Sequence, residues 1–274
     1  MESFSVRLAR ATARRGPLCV GLDPAPATLA SWGLADSVEG LRTFSQRCVE
    51  AASETVACIK PQVAFFERFG SQGFAVLEAT IRTARQAGLL VIADAKRSDI
   101  STTAAAYGAA WLRETAPLAA DAMTVTPYLG LQALSPIFDE ATEAGAGVFV
   151  VVSSSNPEGR ALQQAQMGDL SVEAALYGEI GDLNKTAGDP FIGAVLGATR
   201  AFDHAPVANM AGPLLIPGFG AQGATAQDVG ERFRGLKNTL VVAASRAWTD
   251  AGPEVKQLID RASALQTSLR TALL

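Results

Sequence analysis

The sequence predicts a (β/α)8 barrel. Eight short apolar runs recur along the 274 residues, helix-like stretches lie between them, and each run ends in small or polar residues. Eight strands alternating with helices fit the roughly 250 residues that such a barrel occupies. A doubly wound open sheet is the alternative that shares the alternation.

The elements follow in order. The opening stretch MESFSVRLARATARRGPLCV lacks the apolar centre of a signal peptide. Arg7, Arg10, Arg14 and Arg15 give it a weak likeness to a transit peptide. A surface helix with Val6, Leu8 and Ala9 partly buried, leading into the first strand, is the better reading. The strand runs are LCVGLD (18–23), VACIK (56–60), LLVIAD (89–94), AMTVT (122–126), GVFVVVSSS (147–155), FIGAVLG (191–197), PLLIPG (213–218) and TLVVAAS (239–245). None alternates with polar residues, so each is expected to be buried on both faces, as parallel strands are. DSVEGLRTFSQRCVEAAS precedes the second run as a helix. GFAVLEATIRTARQAG precedes the third and stops at Gly88, a residue suited to a helix end. TTAAAYGAAWLRETA precedes the fourth, and PEVKQLIDRASALQTSLRTALL closes the chain. The stretch 156–190 exceeds a simple connection and is expected to carry an extra helix. No internal repeat or low-complexity linker breaks the pattern, so residues 1–274 read as one barrel domain.

Composition narrows the function classes. Hydrophobic residues make up 49% and charged ones 18% of the chain, enough for a large core. The net charge of −4 and a pI near 5.2 carry no basic patch for nucleic acid. No apolar run approaches the ~20 residues of a membrane span. Cys19, Cys48 and Cys58 are odd in number and form no C-x-x-C, so they read as small buried hydrophobes in a reducing cytoplasm. The sole histidine, His204, lies in the turn-like stretch FDHAP, which makes a zinc site or a histidine triad a poor fit.

In a barrel, chemistry sits where strands end and the following loops begin. Those ends hold Asp23, Lys60, Asp94 with Lys96, Thr126, Ser153 to Asn156, Gly218 to Gly223, and Ser245 with Arg246. Residues two apart on a strand share a face, so Asp94 and Lys96 can enter one mouth, with Lys60 beside them and Asp99 beyond the turn. Opposite charges keep one another ionised when buried. A protonated lysine there can act as a general acid. An ion-pair network at the rim, with Asp99 capping the next helix, is the structural alternative. After the seventh run, PGFGAQGAT offers glycines whose N–H groups can surround an anion, with Gln222 able to donate an amide. After the eighth, Arg246 adds a permanently charged donor fork. Together they suggest a phosphate site; separately they read as a turn and a surface arginine. SSSNPEGR after the fifth run can donate and accept, which suits the edge of a heterocycle, or it can simply form a turn before Pro157.

DAKRSDISTT resembles the Asp-x-Lys-x-x-Asp signature of the orotidine 5'-phosphate decarboxylase family. GLDP, IKPQVAFFERFG, SSSNPEG and IPGFGAQG are similar to its second subfamily, over most of residues 18–246 and in the same order. The resemblance implies a (β/α)8 barrel, a homodimer, and conversion of orotidine 5'-phosphate to UMP and CO2 with neither metal nor organic cofactor. It implies Lys96 as proton donor to pyrimidine C6 and Asp94 as the carboxylate facing the substrate carboxylate. Lys60 would complete the charge network and touch the ribose, and Asp23 would bind a ribose hydroxyl. Asp99, with Thr103, would cross the dimer interface into the neighbouring site. Gln222 and Arg246 would hold phosphate, and Ser155 and Asn156 would read the pyrimidine edge. Two rival readings remain open. One is a metal-dependent sugar-phosphate barrel, such as a keto-gulonate phosphate decarboxylase or hexulose-phosphate synthase. It would need an acidic metal ligand where Lys60 stands. The other is a non-catalytic nucleotide-phosphate-binding barrel.

Overall fold

Each apolar run becomes a strand because closing a sheet on itself buries both of its faces. The computed structural model of the chain describes residues 2–220 and 223–274. Its strands are β1 (Leu18–Leu22), β2 (Cys58–Pro61), β3 (Leu90–Arg97), β4 (Ala122–Val125), β5 (Gly147–Ser153), β6 (Ile192–Leu196), β7 (Leu214–Ile216) and β8 (Leu240–Ala244). They pair in parallel in sequence order, and β8 returns to β1 to close the barrel. The open-sheet alternative is thereby set aside.

A period of two is hidden inside the continuous apolar runs. Cys19, Cys58, Leu90, Ile92, Ala122, Phe149, Val195, Leu215, Val241 and Ala243 fill the barrel interior. Their strand neighbours Leu18, Val20, Ile59, Val91, Ala93, Met123, Val148, Ala194 and Val242 pack outward against the helices. This alternation fixes which side chains reach the mouth. Counting in twos from an interior residue leads from Cys19 to Asp23, from Cys58 to Lys60, and from Ile92 to Asp94 and Lys96.

The opposite end of the barrel is plugged by the helix Phe4–Arg15. Phe4 and Leu8 are fully buried and join the interior cluster. The Phe4 ring meets Phe149 edge to face, with centroids 6.0 Å apart. Gly147 lies so close to the Phe4 ring that a Cβ there would come within 2.1 Å of it. The expected burial of Val6 and Ala9 is therefore corrected. Both are exposed, because they lie off the one-turn Phe4–Leu8 stripe that faces the barrel. Arg7, on the flank of this helix, pairs with buried Asp121, whose other oxygen accepts the Val91 N–H at 2.9 Å.

The long connection after β5 holds a 3-10 turn (Pro157–Gly159), a short helix (Arg160–Gln163) and an antiparallel hairpin (Gln166–Met167 with Leu170–Ser171). Only then does the regular helix Val172–Ala187 begin, capped by Ser171, which accepts the Ala174 N–H at 3.2 Å. FDHAP is not a turn throughout. Asp203 is the residue before the helix His204–Met210, whose first turn tolerates Pro206 because that N–H needs no intrahelical partner. The three cysteines are free and buried. No described helix is long and apolar enough to cross a membrane.

Candidate active site

A cavity of about 330 Å3 opens at the C-terminal ends of the strands. Asp23, Lys60, Asp94, Lys96, Ser155 and Arg246 all line it. These residues come from segments far apart in sequence; interior strand parity aims Asp23, Lys60 and Asp94 at the cavity, while Ser155 and Arg246 reach it from the segments that follow β5 and β8. A larger groove of about 630 Å3 lies at the plugged end, but its charged residues Arg7, Arg85, Glu114 and Asp121 pair with one another.

Asp94 is the centre of the charge array. Lys60 Nζ donates to its Oδ2 at 2.8 Å, and Lys96 Nζ donates to Oδ1. The Thr124 hydroxyl donates to Oδ1 at 2.9 Å. The Gln62 amide nitrogen, turned towards Asp94, donates to Oδ2 and to the main-chain oxygen, both at 2.9 Å. Each carboxylate oxygen therefore accepts from two donors, and the group has no freedom to rotate. Burial alone would push the Asp94 carboxyl up, but Lys60 and Lys96 outweigh it and hold the group well below the usual carboxylate range. Burial would likewise lower Lys60. Asp94 and Asp23 outweigh that and raise it above an ordinary lysine. Lys60 and Asp94 are buried, whereas the Lys96 side chain is 44% exposed and so accessible from the cavity.

The backbone at Lys96 departs from a regular strand. β3 is in register with β4 at Ala93–Met123 and again at Arg97–Val125, so four residues on β3 span two on β4. Within this bulge Lys96 adopts φ 47°, the left-handed region that residues with a Cβ seldom enter. Its N–H turns to the Thr124 hydroxyl at 2.9 Å.

The remaining expected residues divide clearly. Asp23 has a buried Oδ1 with no hydrogen-bond partner among the described residues, which is the condition of an acceptor reserved for a ligand hydroxyl. Arg246 heads a short helix after β8, across the cavity mouth from Gly218 and Phe219. Gly218, Gly220 and Gly223 hold φ values of 102°, 74° and 88°. At Gly220 a Cβ would come within 2.5 Å of the Ala247 Cβ, so the two loops approach through a glycine that nothing larger could replace without movement. Gln222 lies outside the described residues. Asn156 is exposed and bonds to Glu158 at 2.9 Å and to Ser154 at 2.6 Å, rather than lining the cavity. Asp99 and Thr103 also stay out of the cavity of their own chain. Thr103 is exposed, and Asp99 accepts the Ile100 N–H at 2.8 Å without capping the helix Ser101–Leu112.

Sequence reasoning missed Gln62 and Thr124 as parts of this site; Ser154 lay within the candidate stretch Ser153 to Asn156 but was not singled out. The parity that finds Lys60 and Asp94 would also have found Gln62, two residues past Lys60, and Thr124, two past interior Ala122. Among the described residues no group of three or more His, Cys, Asp or Glu side chains is arranged to hold a metal ion.

Comparison with known proteins places this geometry in company. Residues 16–259 match the model of the orotidine 5'-phosphate decarboxylase / HUMPS family. An orotidine 5'-phosphate decarboxylase of Salinispora arenicola is 50% identical over 276 residues, covering 100% of this chain and 99% of its own. The enzyme of that name from Streptomyces coelicolor is 48% identical over 277 residues, with the same coverage of 100% and 99%. Among solved structures, a Streptomyces avermitilis chain provisionally given that name superposes with a TM-score of 0.94 at 46% identity, covering 100% of this chain and 96% of its own. The OMP decarboxylase of Leishmania donovani superposes with a TM-score of 0.80 at 28% identity, covering 99% and 98%.

Proposed function

The chain belongs to the orotidine 5'-phosphate decarboxylase / HUMPS family, and we propose that it decarboxylates orotidine 5'-phosphate to UMP and CO2, the closing step of UMP synthesis, in the cytoplasm. The observation that carries this reading is the Asp94 carboxylate fixed between the Lys60 and Lys96 ammonium groups at the cavity floor. Losing CO2 from C6 breaks a carbon–carbon bond and leaves its electron pair on a carbon without a conjugated sink. Fixed charge in a site shielded from water is the means left to stabilise that pair.

The roles follow from chemistry and from the family resemblance. Asp94 cannot neutralise itself and cannot turn away. It therefore presses against the substrate carboxylate, a repulsion relieved when neutral CO2 departs. Lys96 lies beside it with an accessible ammonium and delivers a proton to C6. Asp23 and Lys60 bind the ribose, and the unpartnered Asp23 oxygen supports that assignment. Arg246 and the glycine loop, with Gln222, hold the phosphate. Ser155 faces the pyrimidine edge. Ser154, which also lines the cavity, shares that duty better than outward-turned Asn156. Binding energy from the remote phosphate can then be expressed at the reacting carbon.

The protein acts as a homodimer of single-domain barrels, with Asp99 and Thr103 of each chain completing the partner's site. Their position outside their own cavity supports this. So do the exposed apolar side chains Ile100, Tyr128 and Leu129, on the loops after neighbouring strands β3 and β4. No metal or organic cofactor takes part. The metal-dependent sugar-phosphate chemistry would need an oxygen ligand where the Lys60 ammonium stands, and that charge repels a divalent ion.

The test is UMP formation from orotidine 5'-phosphate, followed by the loss of substrate absorbance with a chelator present. Full activity in chelator is expected. Activity abolished by chelator and restored by magnesium would favour the sugar-phosphate chemistry. Tight UMP binding with no turnover would favour a nucleotide-binding barrel.

A further inference from the structure

We propose that Thr124 is a positioning residue for the proton transfer, its hydroxyl holding Lys96 in the left-handed backbone turn that aims the ammonium at the reacting carbon. The inference rests on the decarboxylase reading above and adds to it a residue outside the Asp-x-Lys-x-x-Asp pattern. Three observations converge on it. Lys96 sits at φ 47°, where a residue with a Cβ rarely stays unless neighbouring groups hold it. The bulge in β3 takes Lys96 out of the β3–β4 ladder, and its N–H donates instead to Thr124 Oγ1 at 2.9 Å. The same hydroxyl donates its single proton to Asp94 Oδ1 at 2.9 Å, the oxygen that also receives the Lys96 ammonium.

A hydroxyl is suited to this place because it accepts and donates at once. The direction of its proton is settled by its surroundings. The carboxylate can only accept and the amide can only donate, so Thr124 must bridge them. Thr124 is 1% exposed, and water has no access to replace it. It stands on β4 with its side chain in the interior parity set by Ala122, in the same layer as Asp94. The bridge ties the main chain of Lys96 to the carboxylate that its own side chain contacts. Backbone direction and ammonium position are thereby set together. A glycine would take the left-handed turn without help but would bring no ammonium. Lysine at this turn therefore needs an external clamp, and Thr124 is the group that touches both ends of it.

The alternative is that Thr124 merely fills the barrel interior. Replacing it with valine keeps the shape and removes both hydrogen bonds. Replacing it with serine keeps the hydroxyl and removes the methyl. The experiment compares wild type, Thr124→Val and Thr124→Ser in orotidine 5'-phosphate turnover and in UMP binding by calorimetry. Thr124→Val is expected to lower kcat on the order of 10- to 100-fold, the scale of a small misplacement of a reacting group. KM and UMP affinity should change by less than about threefold, since no substrate contact is removed. Thr124→Ser should recover most of the lost turnover. If Thr124→Val turns over as wild type does, the proposal is wrong. It is equally wrong if serine is as slow as valine, which would assign the effect to the methyl group. A parallel fall in kcat and UMP affinity would overturn it too, as general damage to the site. If Thr124→Val does not fold, Thr124→Ala takes its place with the same expectations. An inactive wild type would instead sink the decarboxylase reading. The crystal structure of Thr124→Val then decides separately: Lys96 leaving the left-handed region supports the clamp, and Lys96 remaining there contradicts it.

Discussion

Asp94 accepts hydrogen bonds from Lys60, Lys96, Thr124 and Gln62, where a simple ion pair would need one. Such a carboxylate is held in its charged form by its surroundings, and this has a consequence for stability. Its folded pKa is depressed, so its contribution is present above the unfolded carboxylate value near 4 and is lost only as pH falls from there towards the folded value. Lys60 is raised, so its contribution is complete below the unfolded lysine value of about 10.4 and is lost as pH rises through the folded one. The stability gap between wild type and Asp94→Asn should therefore be flat from about pH 5 to pH 9 and narrow only below about pH 4. Urea melts of both proteins across this range would check it. A gap that tracks pH near neutrality would mean the array is not held as the geometry implies. Residue identities at this scale were legible in part. Lys60, Asp94 and Lys96 stand at strand ends in plain view. Thr124 was within reach of strand parity, but its tie to Lys96 was not, because the left-handed turn there is formed by a lysine, and lysine carries no turn signal in sequence.

The strands were legible because a closed parallel barrel leaves a continuous apolar run for each; six runs contain the whole observed strand, and β2 and β3 continue past theirs by one and three residues. The N-terminal helix was only half legible. Its helical character shows, but Val6 and Ala9 were given the burial that belongs to Phe4 and Leu8. What selects that stripe is Phe149, remote in sequence, whose ring and flanking Gly147 form the seat for Phe4. The short elements after β5 were legible only as excess length, since a hairpin with two residues per strand has too few positions to show a period. The plug gives a prediction at this scale. Phe4→Ala should destabilise the fold by about 3–5 kcal/mol, the usual cost of emptying a buried phenylalanine site. Below the melting transition it should leave kcat and KM close to wild type, because the plug and the mouth are at opposite ends of the barrel. Chemical denaturation and steady-state assays on the same sample test both halves. A large fall in kcat without loss of stability would contradict the separation of plug and site.

At the scale of the whole molecule, the position of Asp99 is the informative feature. It follows the β3 bulge but stays outside its own cavity, and the exposed Ile100, Tyr128 and Leu129 lie on loops at the same end. In the proposed twofold dimer each chain would give Asp99 and receive its partner's. Mixing Lys96→Ala with Asp99→Ala should then restore activity. One site of the mixed dimer carries both defects and the other carries none, so each heterodimer should reach about half the native rate. If exchange of subunits is demonstrated and activity stays at the level of the separate variants, Asp99 acts within its own chain. No pattern of strands and helices points to this proposed assembly; the proposal rests on family resemblance and on where the folded chain leaves Asp99.

The central claim is that Lys96, fixed against Asp94, protonates the carbon from which CO2 departs. The most direct test is the turnover of orotidine 5'-phosphate by Lys96→Ala, measured beside its affinity for UMP. Removing the proton source and a charge that stabilises the transition state should cost orders of magnitude in kcat, while UMP affinity falls far less and the fold survives. A Lys96→Ala protein that turns over near the wild-type rate would contradict the account.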